Sequence, residues 1–232
     1  MKHRISVIIP MWNEFDHIEK LILHLKEYST AENIEEIIIV DGGSTDGSPK
    51  LVSSFEEVIL LESSKGRARQ LNFGALHAKG TVLYFLHADT FPPRDFDKKI
   101  LLEIEADNTG SFRLQFDHPY HFLLKIASWF TRFNGLWFRG GDQSLFLTKS
   151  KYENLRGFDE RYTIYEDVEF IKRIIKKFNF KIINDYVTTS SRKFKKNGAW
   201  RLFFHFAIIH IKNYLGASPE DLHKYYVDYI QL

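Results

Sequence analysis

The stretch EEIIIVDGGSTDGSP, residues 35–49, joins an apolar run to a loop of small polar residues. Residues 35–40 are rich in Ile and Val and almost continuously apolar, the pattern of a strand covered on both faces of a sheet. Gly, Ser, Thr and Asp dominate the residues that follow, and these residues favour turns. A buried strand that stops at Asp41 and turns at once predicts a β-loop-α unit of a parallel sheet.

The same β-loop-α pattern recurs in the sequence before and after this stretch. Further buried strands are predicted at residues 4–10, 58–62 and 81–87, and helices are predicted after residue 13 and over residues 66–80. Asn13 is expected to cap the first helix, with Asp16 three positions later. This alternation predicts a doubly wound α/β fold, with a Rossmann-like parallel sheet flanked by helices. Ligands of such sheets bind at the carboxyl ends of the strands, where Asp41 and Asp89 both fall.

The second half of the chain is less regular but still structured. Strands are predicted at residues 110–116, 144–148 and 180–184, and helices at 119–138, 166–178, 199–215 and 218–230. The 232 residues are 44% hydrophobic and 16% aromatic, enough for the core of one domain. The simplest organisation is a single domain, residues 1–232. It divides into a nucleotide-binding half (1–90), an acceptor-shaping catalytic half (91–195) and C-terminal helices (196–232).

Composition excludes several classes of protein. Cys is absent, so disulfides and thiolate metal sites are excluded, which fits a reducing compartment. A net charge of +2 gives no indication of a nucleic-acid partner. The apolar stretch 200–211 is interrupted by Arg and His and is shorter than the ~20 residues of a membrane-spanning helix. We therefore expect a cytoplasmic protein, with peripheral contact to a membrane left open.

Asp41 is the first candidate for chemistry. A carboxylate at a strand end can accept the imide N–H of a uracil ring, and the glycines after it let the backbone approach a ligand. The alternative is an ordinary turn in which Asp46 and Gly47 are the turn formers. On Asp41 alone, the turn is the stronger interpretation.

The stretch SSKGRARQLNFGA, residues 63–75, places two cations where a loop becomes a helix at Gly66. Cations at a helix N-terminus oppose the helix dipole, so Arg67 and Arg69 are locally unfavourable there. A bound diphosphate would remove the conflict, because backbone amides and guanidinium groups both bind phosphate. The alternative is a solvated basic first turn.

The strand in VLYFLHADTFPP, residues 82–93, runs into His87, Ala88 and Asp89. Asp89 could give one oxygen ligand to a hard divalent cation, with the others from a diphosphate and water. His87 is either a second ligand or a satisfied polar residue. A lone Asp at a strand end is usually structural, so the metal interpretation depends on its neighbours.

Two further clusters lie in the second half. Glu166 and Asp167 open a helix, where carboxylates suit the dipole, but a carboxylate here could also remove a proton from an attacking hydroxyl. A basic run follows at Arg192, Lys193, Lys195 and Lys196. It is either a solvated surface or a flexible lid over a phosphate leaving group.

Taken in order, these motifs resemble one known family. SVIIPMWNE, IIIVDGGSTDGS, KGRARQLNFGA, YFLHADT, GDQSLFL, GFDE and YEDVEF resemble family 2 glycosyltransferases of the GT-A fold, over roughly residues 5–194. The series is most similar to a small bacterial subgroup that has the LHADT and GDQ motifs. The resemblance implies inverting transfer, of the hexosyltransferase type, from a nucleotide diphosphate sugar, commonly UDP-linked, to a hydroxyl acceptor, with Mg²⁺ or Mn²⁺ (magnesium or manganese).

The resemblance also assigns roles residue by residue. The nucleotide would be bordered by Pro10, Trp12, Asn13, Glu14, Asp41, Gly66, Arg67, Arg69, His87, Ala88 and Asp89. Asp89 would also be the metal-linked aspartate. Asp167 would be the catalytic base, with Glu166 beside it. The acceptor side would be lined by Gly141, Asp142 and Gln143, and the leaving group would be covered by Arg192 and Lys193.

Two departures from the family pattern bear on these roles. His87 stands where the family has an acidic residue, which puts the mode of metal binding in question. The late Gln/Arg-x-x-Arg-Trp element is replaced by Arg192, Lys193 and Phe194, so processive polymer synthesis is not expected.

Two other functions stay open on the sequence. A nucleotidyltransferase also combines a Rossmann-like half with a metal-binding aspartate, although the Gly-rich loop expected after Pro10 is absent. A non-catalytic nucleotide-sugar-binding protein or membrane-associated scaffold is the second. The acceptor, a lipid or a carbohydrate, is not fixed. The many aromatic residues of 122–138 favour core packing over a lipid groove or a face that docks on a bilayer.

Overall fold

A computed structural model of the protein describes residues 2–230. The strands are β1 (Ile5–Met11), β2 (Ile34–Asp41), β3 (Val58–Glu62), β4 (Val82–Phe85), β5 (Thr90–Phe91), β6 (Thr109–Phe116), β7 (Leu145–Thr148) and β8 (Phe180–Thr189). The helices are α1 (Phe15–Tyr28), α2 (Ser48–Val52), α3 (Arg67–His77), α4 (Phe96–Glu105), α5 (Phe122–Phe130), α6 (Lys149–Asn154), α7 (Glu166–Lys177), α8 (Arg192–Asn197), α9 (Ala199–Tyr214) and α10 (Pro219–Tyr229). Short 3₁₀ turns lie at Ala31–Asn33, Leu136–Phe138 and Gly141–Gln143.

All eight strands belong to one sheet, in the order β3-β2-β1-β4-β7-β6-β8-β5. The four strands of the first half pair in parallel, as the sequence predicts. Both faces of the sheet are covered, because successive residues of β1 enter two separate cores, Val7 in one and Ile8 in the other. Helices α1, α4, α5, α9 and α10 pack on one face, and α3, α6 and α7 on the other. The predicted α/β sheet flanked by helices, with its C-terminal helices, is thus confirmed.

Strand β7 departs from the parallel arrangement expected for a doubly wound sheet. It runs antiparallel to both β4 and β6, with Leu145 opposite Phe85. The chain between β6 and β7 is long enough to return to the carboxyl end of β4 before it enters the sheet. The residues just before β7 therefore lie beside those that follow β4.

Two predicted element boundaries are wrong for reasons visible in the contacts. β4 ends at Phe85 rather than at residue 87, because the carbonyl of His87 accepts a hydrogen bond from Thr90 and closes a tight turn. The helix predicted over residues 119–138 is only α5. The buried Arg139 guanidinium binds the carbonyls of Thr131 and Phe133, so these groups are not available to continue the helix.

The predicted cap of α1 is also wrong. Asn13 lies in the left-handed region with φ 55°, and the helix begins after Glu14 without a side-chain cap of its own. The amides at the start of the helix are satisfied from the loop after β2. The amide of Glu14 donates to Ser48, and that of Phe15 donates to Asp46.

The predicted C-terminal helices are present as α9 and α10. Ser218 and Asp221 form a capping box at the start of α10. Leu202 and Ile209 of α9 and Leu222 of α10 enter the core. Within residues 2–230, none of the helices is both long enough and apolar enough to cross a membrane.

Gly110 should be indispensable to the second half of the sheet. A Cβ atom there would collide with the backbone carbonyl of Lys181 on β8 and lie 2.9 Å from the ring of Phe146 on β7. Neither neighbour can move without disturbing strand pairing, so Gly110→Ala should lower the free energy of unfolding by about 3 kcal/mol. Urea unfolding measures the change. Gly140→Ala, where the new atom meets nothing within 4 Å, is the control. Equal stability of the two variants would contradict the predicted clash.

Candidate active site

The loops after β1 and β2 are joined by side-chain hydrogen bonds. The amide of Asn13 donates to the Ser44 hydroxyl at 2.8 Å, and the Asn13 side-chain oxygen accepts from the Thr45 amide at 2.8 Å. Together with the two capping bonds from Ser48 and Asp46, these contacts make one unit of the WNE and DGGSTDGS motifs. The unit forms a firm floor at the carboxyl end of the sheet.

Asp41 lies at the end of β2 and is buried. Its carboxylate accepts hydrogen bonds from the amides of Gly43 and Ser44, at 3.0–3.1 Å for the shortest bonds, and from the Ser44 hydroxyl at 2.5 Å. Asp41 therefore holds its own loop, as the turn interpretation predicts. Its contact with a nucleotide base stays a prediction.

Trp12 and Lys65 form a second feature of this floor. The Lys65 ammonium lies 3.2 Å from the centre of the Trp12 ring, and nearly half of Trp12 is exposed. A cation held over an exposed indole offers both a flat surface and a positive charge to a ligand. The sequence analysis missed Lys65, although it directly precedes Gly66 in the basic KGRAR run.

The N-termini of α3 and α7 meet because both helices pack on the same face of the sheet. Gly66 precedes α3 with φ 144°, a conformation that favours glycine, and delivers Arg67 to the first turn. The Arg67 guanidinium lies 3.0 Å from the Glu166 carboxylate and 3.5 Å from that of Asp167, at the start of α7. The conflict of Arg67 with its own helix dipole is thus balanced by two carboxylates.

The two carboxylates beside Arg67 differ in how deeply they are buried. Glu166 is fully buried, and burial raises its pKa to about 7 although the charge of Arg67 opposes the shift. The pKa of Arg67 is raised, first by Glu166 and also by Asp167. Asp167 is more accessible, with 13% of its side chain exposed. It lines a small cavity together with His87 and Ser144.

His87 pairs with Asp142 across the cleft. The His87 Nδ1 atom lies 2.9 Å from the Asp142 carboxylate. Burial opposes both shifts, yet the hydrogen bond raises the pKa of His87 and lowers the pKa of Asp142 to about 2. The antiparallel entry of β7 causes this pairing, because it sets the GDQ turn beside the residues after β4.

Arg192 closes the other side of the site. Its guanidinium binds both carboxylate oxygens of Glu14, at 2.6 and 2.7 Å, and lies 3.3 Å from the carboxylate of Asp89. Its Nη1 atom is 3.2 Å from the ring nitrogen of His17. Burial raises the pKa of Glu14 despite Arg192. The predicted lid segment is the helix α8, which places Arg192 at the site.

The side chains around Asp89 show whether the predicted metal ion could be held there. Among residues 2–230, no three His, Asp or Glu side chains converge on one point. Asp89 offers a single carboxylate, and its neighbour Arg192 is a cation. One carboxylate with diphosphate oxygens and water still makes a donor set that suits Mg²⁺ or Mn²⁺. The residues fit a metal that a bound diphosphate helps to hold.

Several predicted residues make no polar side-chain contact with this cluster. Arg69 lies 3.6 Å from Glu160 in a separate groove on the outer side of α3. Gln143 is buried and binds Arg139, so it supports the loop rather than facing the cleft. Ala88 is buried, and Pro10 lies inside β1. Gly141 opens the 3₁₀ turn that carries Asp142.

The C-terminal helices make contacts with residues near the site. Lys193, predicted to cover the leaving group, donates to the Tyr226 hydroxyl of α10 at 3.0 Å, and its charge helps to lower the pKa of Asp142. The Tyr165 hydroxyl, just before α7, bonds His210 of α9 at 2.8 Å. The half-exposed Trp137 stacks on His210, with 5.2 Å between the ring centres. No motif marks these contacts, because they join residues far apart in the chain.

Comparison with known proteins gives a consistent result. The sequence model described as Glycosyl transferase family 2 matches residues 6–150. A glycosyltransferase, AglE, of Haloferax volcanii is 29% identical over 94 residues, 38% of this chain and 31% of the relative. An undecaprenyl-phosphate 4-deoxy-4-formamido-L-arabinose transferase of an Enterobacter species is 28% identical over 128 residues, 48% of this chain and 37% of the relative. The matched part is thus about a third of the length of these relatives.

A solved structure supports the fold over nearly the whole chain. The mannosyltransferase PcManGT of Pyrobaculum calidifontis, in complex with GDP-Man and Mn²⁺, superposes with a TM-score of 0.69 and 21% identity. The match covers 97% of this chain and 70% of that one. The predicted fold class is confirmed by this likeness.

Glu166 predicts a pH dependence of stability. Its pKa of about 7 lies above that of an unfolded Glu, so its contribution is complete below about pH 4.5 and is lost as the pH rises through 7. Relative to Glu166→Gln, the wild type should lose up to about 3 kcal/mol of unfolding free energy over this window. Urea unfolding at several pH values measures the difference. The exposed carboxylate variant Glu160→Gln is the control, and parallel profiles of wild type and Glu166→Gln would contradict the raised pKa.

Proposed function

The chain belongs to glycosyl transferase family 2, and we propose that it moves a sugar from a nucleotide diphosphate sugar to a hydroxyl group of an acceptor with inversion at the anomeric carbon. The observation that carries this proposal is the position of Asp167. Its carboxylate is partly exposed at the N-terminus of α7, 3.5 Å from Arg67, and lines the same cavity as His87. A carboxylate so placed can serve as a general base.

In the proposed reaction, Asp167 takes the proton of the acceptor hydroxyl. The hydroxyl oxygen attacks the anomeric carbon from the face opposite the nucleotide, and the bond to the diphosphate oxygen breaks. The electron pair of that bond leaves with the nucleotide diphosphate. Inversion at the anomeric carbon by a single displacement requires one base and no covalent intermediate. Glu166 is buried against Arg67 and would position that guanidinium rather than accept the proton.

The floor formed by the two joined loops would hold the nucleotide. Trp12 with Lys65 offers a flat surface and a charge, and Asp41 lies at the end of the adjacent strand. A UDP-sugar is the proposed donor. The solved structure of PcManGT contains GDP-Man, so a guanine nucleotide is the other donor to test.

Asp89 would hold Mg²⁺ or Mn²⁺ together with the donor diphosphate. The bound metal would supply positive charge that stabilises the departing diphosphate. Two cations of the chain flank the proposed site: Arg192 lies 3.3 Å from Asp89, and Arg67 lies 3.5 Å from Asp167. Arg192 would turn from the carboxylates to the diphosphate, and both arginines would then stabilise the leaving group.

The acceptor is proposed to be a lipid-linked or carbohydrate hydroxyl. The Enterobacter relative is a transferase named for undecaprenyl phosphate, which favours a lipid-linked acceptor. The acceptor would enter beside Asp142 and Trp137, on the second half of the chain. An exposed indole there suits a sugar ring or an isoprenoid chain.

Asp167→Asn should reduce turnover by about 100-fold or more, because the amide cannot accept the proton of the hydroxyl. Binding of the nucleotide, measured by calorimetry, should stay within a few-fold of wild type. Turnover is followed as nucleotide diphosphate released from UDP- and GDP-sugars with a panel of acceptors. The control is Asp107→Asn, an exposed aspartate that pairs with Lys151. Wild-type turnover in a folded Asp167→Asn protein would refute the assignment of Asp167 as the base. Release of pyrophosphate by the wild type from a nucleoside triphosphate and a sugar phosphate would instead favour a nucleotidyltransferase.

Asp89→Ala should abolish the part of nucleotide binding that depends on metal. Calorimetric titration of wild type with UDP and GDP should show at least about tenfold tighter binding with Mn²⁺ than without it, because the ion links diphosphate to carboxylate. In Asp89→Ala the two titrations should coincide. The matched control is Asp228→Ala, at an exposed position of α10. Metal-independent binding by the wild type would mean that Arg67, Arg192 and Lys65 hold the diphosphate without a metal.

A further inference from the structure

Helix α5 exposes an apolar stripe where a surface helix usually exposes polar residues. Leu124 points into the core and is fully buried. On the outer side lie Phe122, Ile126 and Trp129, and Phe133 continues the stripe just after the helix; the intervals are four, three and four residues, and each side chain is 43–55% exposed. The sequence favoured core packing for these residues. The structure places the stripe in solvent instead, because Leu124 already fills the contact of α5 with the core.

Helix α9 carries a second stripe of the same kind. Leu202 and Ile209 are buried against the sheet side. Trp200, Phe204, Ile211 and Leu215 lie on the other side at helical spacing, and they are 47–76% exposed. A surface helix packs on the core through one apolar stripe. The second, exposed stripe of α9 therefore does not contribute to the packing of this chain.

The two stripes meet to form one surface. The rings of Phe122 and Trp200 lie 5.9 Å apart edge to face, and His121 lies 6.0 Å from the same indole. The surface formed by the eight apolar residues of the two stripes is named here the aromatic face. A continuous exposed apolar surface of this kind marks a site of interaction with a protein or a membrane.

The two chain segments that carry the aromatic face contain charges of one sign. Residues 118–141 contain three Lys or Arg, residues 186–219 contain six, and neither segment contains Asp or Glu. Arg139, Arg192 and Lys193 are committed to the interior and the active site. The exposed basic residues are Lys125, Lys195, Lys196 and Arg201. The acidic residues of α10 are Glu220, Asp221 and Asp228, which lie outside both segments.

We propose that the aromatic face docks this protein on an anionic membrane surface. Trp and Phe beside Lys and Arg are the residues that bind at the boundary of lipid headgroups and acyl chains. Each basic residue near an anionic leaflet adds to the attraction. A second copy of the chain fits less well, because a symmetric contact through this face would bring the same basic residues of two chains together.

The docking face adjoins the proposed acceptor side. Along the chain, Trp137 lies between Phe133 of the aromatic face and the turn that carries Asp142. If the proposed function is correct, a lipid-linked acceptor in the same membrane would reach the site from this side. Membrane binding itself does not depend on the transfer reaction, so it can be tested separately.

Flotation with vesicles tests the proposal. Wild type should float with vesicles of phosphatidylcholine mixed with phosphatidylglycerol, and much less with phosphatidylcholine alone. The double variant Trp129→Ser/Phe204→Ser should bind the mixed vesicles at least about tenfold more weakly. The control is Leu76→Ser/Leu102→Ser, which removes two residues of 74% and 67% exposure from α3 and α4. Urea unfolding and nucleotide titration establish that each variant is folded.

A charge series separates the basic residues from the apolar ones. Lys125→Gln/Lys195→Gln/Lys196→Gln should weaken binding to the mixed vesicles and flatten its dependence on salt. Lys20→Gln/Lys50→Gln removes exposed lysines of α1 and α2 and should change neither.

Three outcomes would overturn the proposal. The first is wild-type protein that binds neither kind of vesicle. The second is equal binding by the aromatic-face variant and its control. The third is a wild-type dimer that the aromatic-face variant dissociates and the control variant does not. The dimer would assign the face to a second copy, and light scattering detects it. Asp167→Asn should bind vesicles as wild type does. A wild type that floats but transfers no sugar would count against the proposed function only.

Discussion

The pairing of β4 with β7 fixes the position of almost everything at the site. Because β7 runs against β4, the start of one strand lies beside the end of the other, and Leu145 faces Phe85. The turn before β7 then contacts the turn after β4, which is why Asp142 meets His87. The parallel pairing of β6 with β8 brings the end of β8, and with it Arg192, to the same edge of the sheet. A parallel β7 would have sent Asp142 to the opposite edge.

Apart from the His87–Asp142 pair, the charges at this edge form two groups that differ in what holds them. Arg67 lies among carboxylates of which Glu166 has no contact with solvent, so the protonation of that group follows from burial. Glu14, Asp89 and Arg192 are all partly exposed and form the second group. The first group is built into the junction of α3 and α7. The second lies where three separate chain segments meet, so it can rearrange without disturbing either helix.

The sequence predicted those features that depend on local pattern. The strands β1 to β4, the amphipathic α7 with Glu166 and Asp167 in its first turn, and the C-terminal helices all follow from the spacing of apolar residues. The cap of α1 could not be predicted in this way, because its hydrogen-bond acceptors, Asp46 and Ser48, come from another loop. The same holds for Lys193, whose partner Tyr226 lies 33 residues further along the chain. Arg67 and Arg69 have the same local setting, and only the packing of α7 shows that the first reaches the site.

At the proposed donor site, Arg192 would exchange its ionic partners when the donor binds. In the protein alone, its guanidinium pairs with both Glu14 and Asp89, which weakens the repulsion between the two carboxylates. A metal-diphosphate complex would bring both signs of charge at once, a cation for Asp89 and an anion for Arg192. The entering complex would give the metal to Asp89 and the diphosphate to Arg192 as new partners, and the net charge of the site would hardly change. Neither the bare metal nor the bare nucleotide satisfies both partners. The proposed site would therefore bind the two together in preference to either alone.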